Sequence, residues 1–209
     1  MDLEQCLPLT RCPHCNVSDP MLSRVKSHRT SDSEGRNIRD WGFYACPRCG
    51  GVVTGWAREK GYRVEEIFPR PVTVSEDVPS RIRDYLQQAI DTTHAPAGSL
   101  MLTASAVDAM LKHRGYTEGS LYSRIEKAAD QHLITQDMAE WAHEVRLDAN
   151  DQRHADLTAP LPTEQDAKRS IDFAMTLAQI LFVLPARAKR GREMAADQKD
   201  GTRDETKDG

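Results

Sequence analysis

The sequence lacks several features that mark large classes of proteins. No run of 18 apolar residues occurs among its 209 residues, which predicts that no segment spans a membrane. The opening "MDLEQCLPLT" has two acidic residues but no basic or apolar run, so a secretory signal is not expected. Glycine-rich phosphate loops, nucleophile elbows and internal repeats are also missing. We therefore expect a cytoplasmic protein whose thiols stay reduced.

Charge is distributed unevenly along the chain. Residues 1–70 carry eleven Lys and Arg against nine Asp and Glu, whereas residues 71–185 carry ten against seventeen. Residues 186–209 carry seven against six. The acidic middle region argues against a broad nucleic-acid-binding surface there, because such surfaces carry an excess of positive charge. Any contact with RNA is expected to be local.

Four of the five cysteines occur in two C-x2-C pairs, "CPHC" and "CPRCGG". Zn²⁺ takes four thiolates at tetrahedral angles, and two such turns supply them. Two disulfides or a redox pair are alternative uses of this spacing, but a reducing compartment and the presence of two copies favour metal. The segments "DWGFYAC" and "GGVVTGW" read as strands beside the second pair. We predict a zinc ribbon with the ligands Cys12, Cys15, Cys46 and Cys49.

The predicted zinc is structural rather than catalytic, because four cysteine ligands leave no open position for water. A ribbon of this size is not expected to fold without its metal. Cys6 and His14 are expected to be bystanders rather than ligands.

The segment between the pairs, "SRVKSHRTSDSEGRNIRD", carries five basic residues against three acidic ones. We expect a solvated loop, with a phosphate-binding finger as the alternative. The proline-containing segment that follows is predicted to be an extended linker with one strand at residues 63–68.

Helical periodicity dominates the next region and predicts five amphipathic helices that pack as a bundle. Ser120, Thr135 and the pair Thr163–Asp166 are predicted to cap helices, Gly115 to stop the second helix and Pro185 to close the fifth. The expected fold class is mainly α. The zinc ribbon and linker occupy residues 1–70, the helical domain residues 71–185 and a disordered charged tail residues 186–209.

Three polar residues recur at four-residue intervals near the end of the fourth predicted helix: Arg146, Asn150 and His154. Residues four apart lie on one side of a helix. The arginine can bind a phosphate or carboxylate, the amide can orient a neighbour, and the imidazole can move a proton near neutral pH. Alternatively, Arg146 pairs with a nearby acid, Asn150 caps the helix and His154 bonds a carbonyl.

The chain resembles the bacterial domain-of-unknown-function 4145 family over residues 12–185. The resemblance is carried by "CPHC", "DVPSRIRDYLQQA", "SLMLTASAVDAMLKHRGY", "GSLYSRIEKAAD", "LPTEQDAKRSIDFAMTLAQILFVLP" and above all "VRLDANDQRH". The family's pattern of Arg, three residues, Asn, three residues and His falls on Arg146, Asn150 and His154. A glycine commonly precedes that asparagine in the family, where this chain has Ala149.

The resemblance implies a HEPN-like helical domain. Many HEPN domains dimerise, and several are metal-independent ribonucleases in which four to six residues separate an arginine from a histidine; here seven intervene. The family also occurs fused to, or beside, restriction and defence proteins. Two expectations follow. One is an RNA-binding protein or ribonuclease in stress or phage defence, with a site composed across a homodimer. The other is a non-catalytic adaptor that binds a protein or nucleic acid.

Overall fold

The computed structural model describes residues 1–58, 63–154 and 160–204. The chain divides into two compact units, Met1–Thr73 and Val74–Gly209, so the division falls three residues beyond the predicted one. We refer to them as the sheet unit and the helical unit.

The sheet unit is a five-stranded antiparallel sheet in which each strand pairs with the next one along the chain. The four cysteines lie in two of the connections, one between the first and second strands and one between the third and fourth. The strands are β1 (Cys6–Pro8), β2 (Met21–Thr30), β3 (Arg39–Ala45), β4 (Val52–Ala57) and β5 (Glu66–Phe68).

One face of this sheet forms a small core because the side chains of β3 and β4 alternate between buried and partly exposed. Tyr44 is fully buried, and its hydroxyl donates a 3.0 Å hydrogen bond to the backbone carbonyl of Glu4. The other core members are Leu3, Leu7, Leu9, Cys12, Leu22, Cys46, Val53 and Ala57. Two of the cysteines are therefore part of the hydrophobic core.

The basic segment predicted to be a solvated loop is instead largely a β-hairpin. Residues from Met21 to Thr30 form the ten-residue strand β2, and β3 begins at Arg39. Most of β2 is exposed on both faces, so its sequence shows no alternation of apolar and polar residues. Pairing with β3, rather than burial of its own side chains, makes this segment a strand.

The helical unit contains the predicted helices close to their predicted positions. They are α1 (Ser80–Asp91), α2 (Pro96–His113), α3 (Leu121–Asp130), α4 (Gln136–His154) and α5 (Glu164–Ala178). The caps are confirmed: Ser120 accepts from the Ser123 amide, Thr135 from the Met138 amide, and Thr163 and Asp166 form a capping box. Gly115 ends α2 with a φ of 98°, a conformation that glycine adopts without steric cost.

Helix α2 lies at the centre of the helical unit and contacts α1, α3, α4 and α5. Its small residues allow close approach: buried Ser99 donates to the carbonyl of Ala89 in α1 at 2.8 Å, and buried Thr103 donates to Ser99 at 2.9 Å. Apolar side chains on the inner faces of the helices are buried, including Leu86, Met110, Ile125 and Leu177. The Trp141 side chain is 36% exposed, and its ring packs against Phe173.

The last helix is longer than predicted. A π-helical turn (Gln179–Val183) follows α5 and leads directly into α6 (Leu184–Asp204), so Pro185 does not end the helix. The Leu184 amide donates a hydrogen bond to the carbonyl of Gln179, five residues back. This wider turn accommodates Pro185 in the helix. The extra residue also shifts the helical phase, and Leu184, the residue after this turn, is 48% exposed.

The prediction of a disordered tail from residue 186 is therefore corrected for the described residues. The helix is already nucleated by α5, and "ARAKRGREMAA" is rich in Ala, Arg, Lys and Glu, which extend a helix at little cost. Residues 205–209 lie outside the described part of the chain.

The fold class is also corrected. A five-stranded sheet accompanies the helices, so the protein is mixed α and β rather than mainly α. The sequence underestimated the strand content because β2 carries no periodic signal.

One helix, Glu164–Ala195, is long and apolar enough to pass a length-and-composition test for a membrane span. Its apolar side chains pack in the core of the helical unit, among them Phe173, Ala174 and Leu177. A core helix of a soluble protein passes the same test, so this single helix is not evidence for a membrane protein.

A buried ion pair joins α3 to α2. The Arg124 guanidinium, 8% exposed, donates to Asp108 Oδ1 from Nε at 2.8 Å and from Nη2 at 2.5 Å. We expect Arg124→Ala to destabilise the helical unit by about 2 kcal/mol, because it removes charge-assisted hydrogen bonds to Asp108, which keeps Lys112 at 2.6 Å as its second partner. Urea unfolding followed by helical circular dichroism measures this loss. Arg169→Ala breaks an exposed pair with Asp166 and is expected to cost less than about 1 kcal/mol. Equal losses of stability in Arg124→Ala and Arg169→Ala would contradict the conclusion that the Arg124–Asp108 pair stabilises the fold through its burial.

Candidate metal centre and the polar stripe of helix α4

The first cysteine turn is a closed loop fixed by its own backbone. The Asn16 amide donates to the carbonyl of Cys12 at 2.9 Å, and the Cys12 amide donates to the carbonyl of Val17 at 3.1 Å. Asn16 has a φ of 55°, which asparagine tolerates better than most residues. The turn places the sulfurs of Cys12 and Cys15 on the same side.

The second cysteine turn repeats this pattern. The Gly50 amide donates to the carbonyl of Cys46, and the Cys46 amide to the carbonyl of Gly51, both at 2.9 Å. Gly50 takes the position of Asn16 with a φ of 70°. The Gly51 amide also donates to the Cys49 sulfur at 3.4 Å. Both turns therefore have the same hydrogen-bonded form, and each ends in a left-handed residue.

The two turns bring four sulfurs together. All four Sγ atoms lie within 4.8 Å of one another. Cys12 and Cys49 are 3.9 Å apart across the turns, and Cys15 and Cys46 are 4.0 Å apart. Four sulfurs at about 2.3 Å from a tetrahedral zinc ion lie about 3.8 Å from each other. The four cysteines thus have a donor set and a spacing that fit a tetrahedral metal ion and are compatible with zinc.

The environment of Cys46 favours its thiolate form. Burial acts to raise the pKa of this thiol, but hydrogen bonds from the backbone amides of Cys49 and Arg48, and from neighbouring thiols, lower the pKa to about 7. Burial raises the pKa of the Cys12 and Cys15 thiols. A cation at the centre would stabilise all four sulfurs as thiolates, since the thiolate is the form that binds metal.

His14 and Cys6 lie outside the four-sulfur cluster. The His14 ring instead bridges the two turns: its Nε2 lies 2.9 Å from the carbonyl of Val52, where an Nε2–H donates. The ring lies so close to Gly51 that a Cβ at that position would come within 2.5 Å of it. His14 therefore supports the turns from outside, a role its position between the cysteines did not reveal. Cys6 is exposed on β1.

The three residues of the stripe all lie in α4, in its second half. Successive members are displaced by about 40° around the helix axis, so they share one side of it. Asn150 and His154 are exposed, and His154 is the last residue of the helix. Arg146 is half-buried. We refer to these three residues as the α4 stripe.

No carboxylate in the described part of the chain neutralises the charge of Arg146. Among the described residues it forms no ion pair within 4 Å, and its buried Nε has no hydrogen-bond partner. Its Cζ lies 5.5 Å from the centre of the Tyr122 ring in α3, a cation–π contact. The alternative in which Arg146 simply pairs with an acid of its own helix or a neighbouring one is not what the described residues show.

Two residues close to Arg146, His143 and Tyr122, were not predicted from the spacing of the stripe. His143 stands one turn earlier in α4, and its Nε2 lies 2.7 Å from Glu126 Oε1 in α3. The rings of His143 and Tyr122 have centroids 4.6 Å apart and an interplanar angle of 30°. Tyr122 therefore contacts both His143 and Arg146. Only the i,i+3 relation of His143 and Arg146 could have suggested this cluster from sequence.

A protein-family model described as Domain of unknown function (DUF4145) matches residues 87–195, just over half of the 209-residue chain. The chain belongs to this family. No curated protein and no solved structure matches the chain.

The DUF4145 match begins inside α1 and ends inside α6, so it contains the α4 stripe. The sheet unit and its four cysteines lie before the matched region. Membership of the DUF4145 family therefore concerns the helical unit. The cysteine cluster lies outside the matched region and is supported by its own geometry.

Proposed function

We propose that the protein is a cytoplasmic RNA-binding protein of HEPN type that acts as a metal-independent endoribonuclease. The observation that carries this proposal is the state of the α4 stripe. Among the described residues Arg146 has no carboxylate partner, and it shares one side of the helix with an exposed amide and an exposed imidazole. Residues that only brace a bundle are buried against it, and Asn150 and His154 are not.

The proposed reaction needs only groups of this kind. An imidazole accepts the proton of a ribose 2′-hydroxyl, whose oxygen forms a bond to the adjacent phosphorus. The bond from phosphorus to the 5′-oxygen breaks, and a second imidazole, protonated, gives that oxygen its proton. The Arg146 guanidinium stabilises the negative charge that develops on the phosphoryl oxygens. Asn150 orients its neighbours in the stripe. The products are a 2′,3′-cyclic phosphate and a free 5′-hydroxyl.

A homodimer is part of this proposal because one imidazole does not act as base and acid in the same step. His143 is an unsuitable second group, since its Nε2 is engaged by Glu126 and its Nδ1 is buried. Two chains meeting along α4 supply two copies of His154 and of Arg146. Such a site fits the HEPN-like arrangement that the resemblance implies, and a role in stress or phage defence.

Zinc is the metal we propose for the four-cysteine cluster, held by Cys12, Cys15, Cys46 and Cys49. Bound there it would supply structural cross-linking of the two cysteine turns and no open coordination position. The sulfur spacing and the amide hydrogen bonds to Cys46 support this proposal.

A non-catalytic adaptor is the second candidate. The acidic composition of residues 71–185 favours it, since excess negative charge repels an RNA phosphate backbone. In this version the zinc ribbon and the helical bundle bind a protein or nucleic-acid partner, for example one in a defence or restriction system.

RNA cleavage in EDTA tests the catalytic proposal. Purified full-length protein is incubated with several single-stranded RNAs in EDTA, briefly enough that the sheet unit keeps its circular dichroism. We expect fragments that end in a 2′,3′-cyclic phosphate and begin with a 5′-hydroxyl. Intact RNA in every case, with the protein still folded, would refute the ribonuclease and leave the adaptor.

A further inference from the structure

The sheet unit presents a second face, opposite to its core, that neither the metal centre nor the α4 stripe uses. Along β3, Asp40, Gly42 and Tyr44 are buried on the inner side, so Arg39, Trp41 and Phe43 lie on the outer side. Residues directly paired between strands share a face. The pairing therefore extends the outer face to β2, β4 and β5. We call it the aromatic–basic face; its members include Lys26, His28, Arg39, Trp41, Phe43, Trp56, Phe68 and one acid, Glu66, which lies opposite Trp56 and is itself ion-paired with Arg70.

Aromatic rings form two adjacent rows across this face. Trp41 and Trp56 pair directly between β3 and β4, with ring centroids 6.2 Å apart and tilted by 41°. In the next row Phe43 pairs with Thr54, which in turn pairs with Phe68. Two of the chain's three tryptophans are thus concentrated on one small sheet. Phe68 is 42% exposed and Trp41, Phe43 and Trp56 are partly exposed, so the rings are accessible to a flat ligand.

Positive charge surrounds these rings. The Arg39 guanidinium lies 4.5 Å from the centre of the Trp56 ring. Beside it is an open depression of about 720 Å³, lined by Arg29, Arg36, Asn37, Ile38, Arg39, Trp56 and Arg58. Lys26 and His28 add two exposed basic side chains from β2.

Not all of this charge is compensated within the unit. Arg29 is held by Asp40 in a bidentate pair, Arg36 by Glu34, and Arg58 by Glu65 at 3.4 Å. In the part of the chain that the structure describes, Arg39 and Lys26 have no carboxylate within 4 Å. Their positions, at the edge of the aromatic rows, suit contacts to phosphates.

We propose that the aromatic–basic face binds single-stranded nucleic acid. Unpaired bases stack on Trp41, Trp56 or the free side of the Arg39 guanidinium, while Arg39 and Lys26 contact the backbone phosphates. In a duplex the base faces are stacked on one another and are not available to stack on the aromatic rings. The combination of accessible indoles with uncompensated cations favours a nucleic acid over a protein, since a protein ligand has no periodic array of anions beside flat aromatic groups.

This inference is independent of the ribonuclease. It concerns the sheet unit rather than α4, and its test uses single-stranded DNA, which lacks the 2′-hydroxyl that the proposed cleavage needs. Failure of one proposal is therefore distinguishable from failure of the other.

Fluorescence anisotropy of a labelled oligothymidylate with the full-length, zinc-loaded protein tests the proposal. We expect wild-type protein to bind the single strand, to bind a duplex at least about tenfold more weakly, and to lose affinity as salt rises. Trp56→Ala and Arg39→Ala are each expected to weaken binding about tenfold or more. Trp56→Phe keeps a ring and is expected to stay within about threefold of wild type. Arg192→Ala, an exposed arginine of α6, serves as the matched control and is expected to bind normally.

Three outcomes would overturn the proposal. They are an absence of binding by folded wild-type protein, equal binding of single strand and duplex, and unchanged affinity in both Trp56→Ala and Arg39→Ala. Circular dichroism of each variant establishes that the protein is folded, and Arg39→Ala keeps the test decisive if Trp56→Ala does not fold.

Discussion

Replacing Cys46 by serine is expected to unfold the sheet unit and to leave the helical unit folded. The two units have separate hydrophobic clusters, and Cys46 belongs to the smaller one. That smaller cluster has nine buried members in a unit of 73 residues. A core of this size supplies only about 3–5 kcal/mol. A structural zinc ion bound there would add about 10 kcal/mol or more of binding free energy, so we expect the unit not to tolerate its loss.

Amide hydrogen exchange, followed separately for the two units, measures whether the sheet unit alone has unfolded. Residues 1–73 of the Cys46→Ser protein are expected to exchange as an unfolded chain, while α2 and α5 keep their protection. Prolonged chelation of the wild-type protein is expected to give the same pattern, with release of one zinc ion per chain. Tryptophan emission provides a second readout, because Trp41 and Trp56 are both in the sheet unit.

Cys6→Ser is the matched control. Cys6 is exposed and lies outside the cluster, so this variant is expected to bind one zinc ion and to keep its sheet. If Cys46→Ser retained both metal and protection, the four-cysteine site would not be what holds the sheet unit together.

Arg146→Ala is expected to lower RNA cleavage by about 100-fold or more while leaving the fold almost unchanged. Removal of one group that stabilises charge in a transition state typically costs 10²–10³ in rate, roughly 3–4 kcal/mol. Among the described residues Arg146 makes a cation–π contact with Tyr122 and no ion pair. Loss of that cation–π contact is expected to cost about 0.5–1 kcal/mol of stability.

Two further variants separate charge from structure. Arg146→Lys keeps the positive charge but not the planar donor arrangement, and we expect intermediate activity. Arg114→Ala removes an exposed arginine at the end of α2 and is expected to cleave RNA at the wild-type rate. Arg146 would instead be structural if Arg146→Ala lowered the melting temperature strongly and its cleavage rate fell only in proportion to the fraction of folded protein.

The four-cysteine cluster was predictable from sequence because its geometry is local. Two C-x2-C turns that each close on their own backbone amides need little from the rest of the fold. The helices of the second unit were predictable for a similar reason, since their caps and buried faces follow directly from residue spacing. The position of the α4 stripe on one side of a helix also followed from spacing alone.

The remaining features depend on partners distant in sequence. Strand β2 is defined by pairing with β3, and the aromatic–basic face exists only once β3, β4 and β5 are in register. The contact of Tyr122 with His143 and Arg146 requires α3 and α4 to pack together. The π-helical turn before Pro185 shifts the phase of the last helix, which no fixed period anticipates.

The central claim is that the α4 stripe cuts RNA, and the ratio of cleavage rates for wild type and His154→Ala in EDTA tests it most directly. The account predicts a fall of about 100-fold or more, the range for loss of a general acid or base, with an unchanged melting temperature because His154 is exposed. His94→Ala, which removes an exposed histidine between α1 and α2, is expected to match wild type. Equal rates for wild type and His154→Ala, or intact RNA with both folded proteins, would contradict it.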